Sequence, residues 1–189
     1  MGEKFKVTFT LDEEDSEYFR SLYRKAKKDS NSQDPQQIIK DARDIVQRVR
    51  ASKKTPPFVL EAIRVLADLV DLIQDDDYAA PQRVKSEVLA GLAYFSNPED
   101  LIPDQIPGLG FLDDAIMVKF IEEEFKNELW GYRRFRKLRD SSEQRPWSNP
   151  ASERLRQRLE ADRARIRAEI EERKAKEATK RKAGSYLGW

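Results

Sequence analysis

Residues 90–124 read AGLAYFSNPEDLIPDQIPGLGFLDDAIMVKFIEEE. An apolar, helix-like run ends near Ser96. Asn97-Pro98-Glu99-Asp100 then makes a helix start, with Asn97 as cap and acids in the first turn. Pro103, Pro107, Gly108 and Gly110 form a bend, and Phe111-Leu112-Asp113-Asp114 opens a second apolar run. Two helical elements joined by such a bend can fold back on each other. That hairpin is the expected centre of the fold.

Outward from it, most of the chain is helical by periodicity. Thr10 or Asp12 can cap a first helix that turns Phe19, Leu22, Tyr23 and Ala26 inward. Asp34-Pro35 starts a second helix, with Pro at its first position and Ile38, Ile39, Ala42, Ile45, Val46 and Val49 on one face. Thr55-Pro56-Pro57 opens a third, the most apolar, carrying Val59, Leu60, Ile63, Leu66, Leu69, Val70 and Ile73. Pro81 starts a fourth, with Val84, Val88, Leu92 and Phe95 at helical spacing. A fifth, from about Phe111 to Arg139, is expected to bury Ile116, Met117, Phe120, Ile121 and Phe125. Lys4–Thr10 is different. Phe5, Val7 and Phe9 alternate with polar residues, the period of a half-buried strand. A lone strand must pair with something, either Ser185–Trp189 or its own copy in a second chain.

Ser141–Pro150 is rich in turn formers and reads as a linker. A helix from Asn149 to about Lys182 follows, with sparse apolar residues: Leu155, Leu159, Ile166 and Ile170. Asp162 stands where a heptad seam would continue. Glu169/Arg173, Glu172/Lys176 and Glu177/Arg181 are favourably ordered i,i+4 pairs. The helix reads first as a solvated single helix, and second as a thin coiled coil or docking arm. The expected architecture is therefore mainly α: a compact bundle of about five helices with one short N-terminal strand in residues 1–140, a linker at 141–149, and a long charged C-terminal helix in residues 150–189.

Composition excludes several chemistries. The chain has 189 residues, no Cys and no His. Disulfides, thiolate nucleophiles, zinc fingers and histidine acid–base catalysis are ruled out. Any metal site must be all-oxygen, which suits Mg, Mn or Ca. Residues 150–189 carry 12 Lys/Arg and 7 Asp/Glu, a net of +5, whereas residues 1–149 carry 24 and 28, a net of −4. A basic tail on a mildly acidic body points toward an acidic partner. No signal-peptide core and no apolar run long enough to span a bilayer is present, and the expected location is cytoplasmic.

The segment from about residue 84 to 125 resembles the core of the YkvA-like domain of unknown function (family 1232). That family's signature is an apolar helix, a D-L-I-P-D element, and a hydrophobic helix opening L-D-D. The resemblance marks Asp100, Asp104, Asp113 and Asp114 as signature acids without assigning them a role. Some relatives look membrane-embedded at this motif. Here Arg83, Lys85, Glu87, Lys119 and Glu122 interrupt the equivalent helices.

Two clusters are candidate sites. The bend could bring Asp100 and Asp104 close to Asp113 and Asp114, and carboxylates so gathered would bind a divalent cation. Helix capping and fixing of the bend account for the same four residues without a ligand. Asp75-Asp76-Asp77 lacks the glycine and distal Glu of an EF-hand loop and reads as a solvated helix end. The second cluster, Trp130, Tyr132, Arg133, Arg134, Arg136, Lys137 and Arg139, interleaves cations with aromatics. It could take phosphates and bases, or lie on an anionic surface. As the end of the fifth helix it could equally pack its aromatics inward and complement the helix dipole.

With no nucleophile–base pair in view, the expected role is a non-enzymatic structural or protein-interaction module without a cofactor. Its partner would be another protein or a second copy, engaged through the N-terminal strand or the C-terminal helix. The alternatives are a divalent-metal-dependent hydrolase using the four aspartates, and nucleic-acid or anionic-surface binding through the basic stretch and tail.

Overall fold

A computed structural model describes residues 10–52, 55–96, 102, 106, 109–143 and 153–186. Six α-helices lie among them: α1 (Glu13–Asp29), α2 (Pro35–Ala51), α3 (Pro57–Gln74), α4 (Gln82–Leu92), α5 (Leu112–Glu143) and α6 (Glu153–Tyr186). Short 3-10 turns follow α1 and α4.

The helix starts follow the expected chemistry. Asp12 caps α1 in a reciprocal box: its Oδ1 accepts from Asp15 N at 2.9 Å, and Asp12 N donates to Asp15 Oδ2 at 3.2 Å. Asp34 accepts from Gln36 N at 3.1 Å, with Pro35 at the first position of α2. All six apolar residues expected on the inner face of α2 are buried. Nine residues of α3 are buried, so it is the central helix, packed between α2 and α5. Alpha-helices α1 and α4 close the bundle beside α2, with Ala93 and Phe95 of the second 3-10 turn buried among them. Gly91 of α4 lets Tyr23 in, since a Cβ there would stand 2.8 Å from the Tyr23 hydroxyl.

The expected N-terminal strand is corrected. Every regular element among the described residues is helical, and none is a strand. Residues 4–9 of that reading lie outside the described residues, and Thr10 has no regular structure. The proposed pairing partner also fails where it is described: Ser185 and Tyr186 are in α6. Alternation alone cannot make a strand without an edge to receive its backbone hydrogen bonds.

The solvated-helix reading of the tail is corrected as well. Alpha-helix α6 packs along α5, burying Leu155, Leu159, Ile166 and Ile170, with Ile166 fully inaccessible at 0%. Four apolar residues suffice because α5 presents Gly131 to them. A Cβ there would lie 2.4 Å from Ile170 Cδ1 and 3.1 Å from Ile166 Cγ2, so the bare backbone is what admits the helix. Arg163 Nη1 donates to Asp77 O at 3.0 Å, and Arg167 Nη2 donates to Ala79 O, tying α6 to the turn after α3.

Candidate functional site

The hairpin of residues 84–125 contributes α4, the bend and the start of α5. Asp113 and Asp114 occupy the first turn of α5 and are buried, at 4% and 8% exposure. There the helix dipole favours their charge. Asp113 Oδ2 also accepts from the backbone N of Ile102, at 3.2 Å, and so fastens the bend to the helix it introduces. Phe111, just before α5, has φ of 67°. That left-handed backbone costs a non-glycine residue about 1 kcal/mol or more, and the buried ring, 5.7 Å from the Arg48 guanidinium, offsets it. Asp100 and Asp104 lie outside the described residues. Among the described residues no three acids are placed to hold a metal ion.

The basic aromatic stretch is divided by the structure. Arg133 Nε and Arg136 Nη1 both donate to Asp68 of α3, at 2.7 and 2.9 Å. Arg139 Nη1 donates to both oxygens of Asp75, at 2.9 and 2.8 Å. The buried Tyr132 donates its hydroxyl to Asp75 Oδ2 at 3.2 Å. Arg134 pairs with Glu169 of α6 at 3.0 Å. Two guanidiniums lie over Trp130, Arg134 at 5.2 Å and Arg173 at 4.4 Å from the ring centre. Tyr132, Arg133, Arg136 and Arg139 thus bind α5 to α3. Trp130, Arg133, Arg134 and Lys137 line an open groove of about 410 Å³ on the outer face of α5.

Asp75 is not a solvated helix end. Its side chain is 10% exposed, and besides the two α5 groups it accepts from Tyr78 N at 3.0 Å, which closes the turn after α3.

A second groove, of about 570 Å³, runs between α1 and α5. Its floor is Leu11, Tyr23, Ile116 and Phe120, and its edges carry Arg20, Lys119, Glu123 and Glu124. Ile116 and Phe120, expected in the core, are only half-buried. Phe120 stacks on Phe19 at 6.1 Å with 19° between the rings, and the Arg20 guanidinium lies over its ring at 6.0 Å. Leu11 is 39% exposed and neighbouring Tyr18 50%. The groove is assembled from helices far apart in sequence, so no local pattern announces it.

Residues 84–120 match the family described as "Protein of unknown function (DUF1232)". The chain carries a YkvA-like DUF1232 domain. It is 42% identical over 65 residues to the "Uncharacterized membrane protein YkvA" of Bacillus subtilis (strain 168), a match that covers 33% of this chain and 60% of that protein. No solved structure matches. The DUF1232 segment supplies Ile116, Lys119 and Phe120 to the α1/α5 groove, and α1 supplies the opposite wall. That relative is named as a membrane protein. Among the described residues here, no helix is long and apolar enough to cross a membrane.

Proposed function

We propose that the protein is a non-enzymatic helical interaction module whose binding face is the groove between α1 and α5. The observation that carries this reading is the groove's composition: an apolar floor left accessible between two well-anchored helices, with charges of both signs at its edges. Such a surface suits an amphipathic helix of a partner protein. The partner's apolar side chains would lie on Ile116 and Phe120, its acids near Arg20 and Lys119, and its bases near Glu123 and Glu124. The reading keeps the cytoplasm as its setting.

The position of the rest of the charge supports it. Arg136 and Arg139 face acids of α3 rather than solvent ligands, and α6 is engaged on α5.

The test is retention of a partner by tagged full-length protein purified from its own cells. Phe120→Glu should lose a stoichiometric partner that wild type and Lys137→Ala both keep. Loss with Lys137→Ala and retention with Phe120→Glu would shift the function to the basic groove.

That basic groove carries a second reading, as an anionic surface site, because Lys126, Arg133, Arg134 and Lys137 converge around Trp130. Its affinity for polyanions should fall steeply with salt. A flat salt response would remove it.

A further inference from the structure

The chain itself enters the α1/α5 groove. Leu11 precedes the Asp12 cap of α1, yet it belongs to the groove floor and is 39% exposed. The segment ahead of α1 therefore meets the bundle at the groove's mouth. Residues 4–9 lie outside the described residues and read Lys4-Phe5-Lys6-Val7-Thr8-Phe9.

That segment suits the groove in spacing, reach and charge. Ile116 and Phe120 are four residues apart on α5, about 6 Å along its axis. Alternate residues of an extended segment share a side and are about 6.8 Å apart. Neighbouring members of the Phe5, Val7, Phe9 set can therefore cover what Ile116 and Phe120 leave exposed. From Leu11 back to Phe5 is six residues, a reach of at most about 20 Å. Lys4 and Lys6 have long stems that can turn to the rim. Glu123 and Glu124 stand there, 67% and 38% exposed, each holding one lysine, Lys126 and Lys27. A carboxylate has room for a second ammonium. The cations of the same rim, Arg20 and Lys119, are paired with Glu17 and Glu122.

We propose that residues 5–9 are the groove's own occupant, placing Phe5, Val7 and Phe9 over Ile116 and Phe120, and that they regulate access to it. The regulation rests on the groove being a partner-binding face. No sheet is formed, since the segment's backbone stays at the open side of the groove, in water. Tethered so close to the floor, the segment has an effective concentration in the millimolar range, so a weak contact competes with a free partner. Covering the groove about nine-tenths of the time lowers a partner's apparent affinity about tenfold.

The chain has no cysteine, so nitroxide labels can be placed singly or in pairs. Double electron–electron resonance on the full chain, labelled at Thr8→Cys and at exposed Lys28→Cys of α1, should give one narrow peak below about 25 Å, the length of α1. Adding Phe5→Asp and Phe9→Asp should broaden it with helix content unchanged by circular dichroism, and Phe120→Glu should broaden it from the groove side. The Phe5→Asp, Phe9→Asp form should also retain several-fold more partner from its own cells than wild type does. The proposal is overturned if the wild-type distribution is already as broad as the variant's. It is overturned equally if singly labelled protein shows the coupling, which would make a second copy the occupant. A narrow peak with no partner retained by either form would discard the partner reading and keep the occupant. A broad wild-type distribution with a partner lost on Phe120→Glu would do the reverse.

Discussion

Asp75, at the C-terminal end of α3, takes Arg139 of α5 on both carboxylate oxygens, at 2.9 and 2.8 Å. In the sequence these residues belong to two separate charge clusters, each open to a functional reading. In the fold they are partners, and the Tyr132 hydroxyl shares the same carboxylate. Asp75→Ala removes the acceptor of three donors at once: Arg139, Tyr132 and Tyr78 N. The pair is largely buried, with side chains 10% and 17% exposed, so the loss should be about 2–4 kcal/mol. Urea denaturation should register it as a lower midpoint at unchanged slope. Asp68→Ala, whose partners Arg133 and Arg136 are 42% and 38% exposed, should cost about 1 kcal/mol or less.

Gly131 sets the seat of α6. Gly131→Val places side-chain atoms where Ile170 and Ile166 now lie. The substitution should cost about 1–3 kcal/mol and act on one helix. Hydrogen exchange should rise along α6 while α2 and α3 remain protected. Uniform loss of protection would mean that α6 and the bundle unfold as one unit.

Ala79 has φ of 46° in the turn that Arg167 grips. Glycine adopts this backbone without the Cβ penalty. Ala79→Gly should therefore stabilise the protein, by about 0.5–1 kcal/mol after the entropy that glycine adds to the unfolded chain. A lower Tm would show that the methyl group is a packing contact.

Among the described residues, Tyr23, Tyr78 and Tyr132 are buried. Burial pushes the Tyr78 hydroxyl up to about 12, with the Glu128 charge adding to it. Burial also raises Tyr23, with Glu124 contributing, and Tyr132, with Asp75 contributing. A folded pKa above the unfolded value of about 10 means the folded state holds its protons longer. Stability from these groups is fully present below pH 10 and falls as pH rises through the folded values. Absorbance of tyrosinate should show these three ionising together with loss of helix by circular dichroism. Gradual ionisation of all six tyrosines before helix is lost would contradict the burial.

Much of the bundle is legible in the sequence because its signals are local. Asp12, Asp34 and the prolines at 35, 57 and 81 mark helix starts wherever they fold, and the inner face of α2 follows from spacing alone. Tertiary partnership is not local. Nothing around Asp75 indicates that Arg139 will find it. Nothing in the sparse apolar pattern of α6 indicates that Gly131 offers it a seat. The Lys4–Thr10 pattern yields no strand among the described residues, and alternation specifies a face and not a neighbour. The DUF1232 motif is visible at once as a bend, and Asp113 bonded to Ile102 N gives one of its acids a structural duty. The α1/α5 groove was hidden by the very spacing that placed Ile116 and Phe120 in the core, because helical periodicity does not say where α1 stops covering α5.

The central claim is that the α1/α5 groove is a protein-binding face. Its most direct test is a photo-crosslinking phenylalanine analogue placed at Phe120 in the protein expressed in its own cells, with the same analogue at exposed Glu172 of α6 as control. The account predicts one discrete protein adduct from position 120, absent from position 172 and lost when Ile116→Asp is added. Absence of any adduct at 120, or the same adducts from both positions, would contradict it.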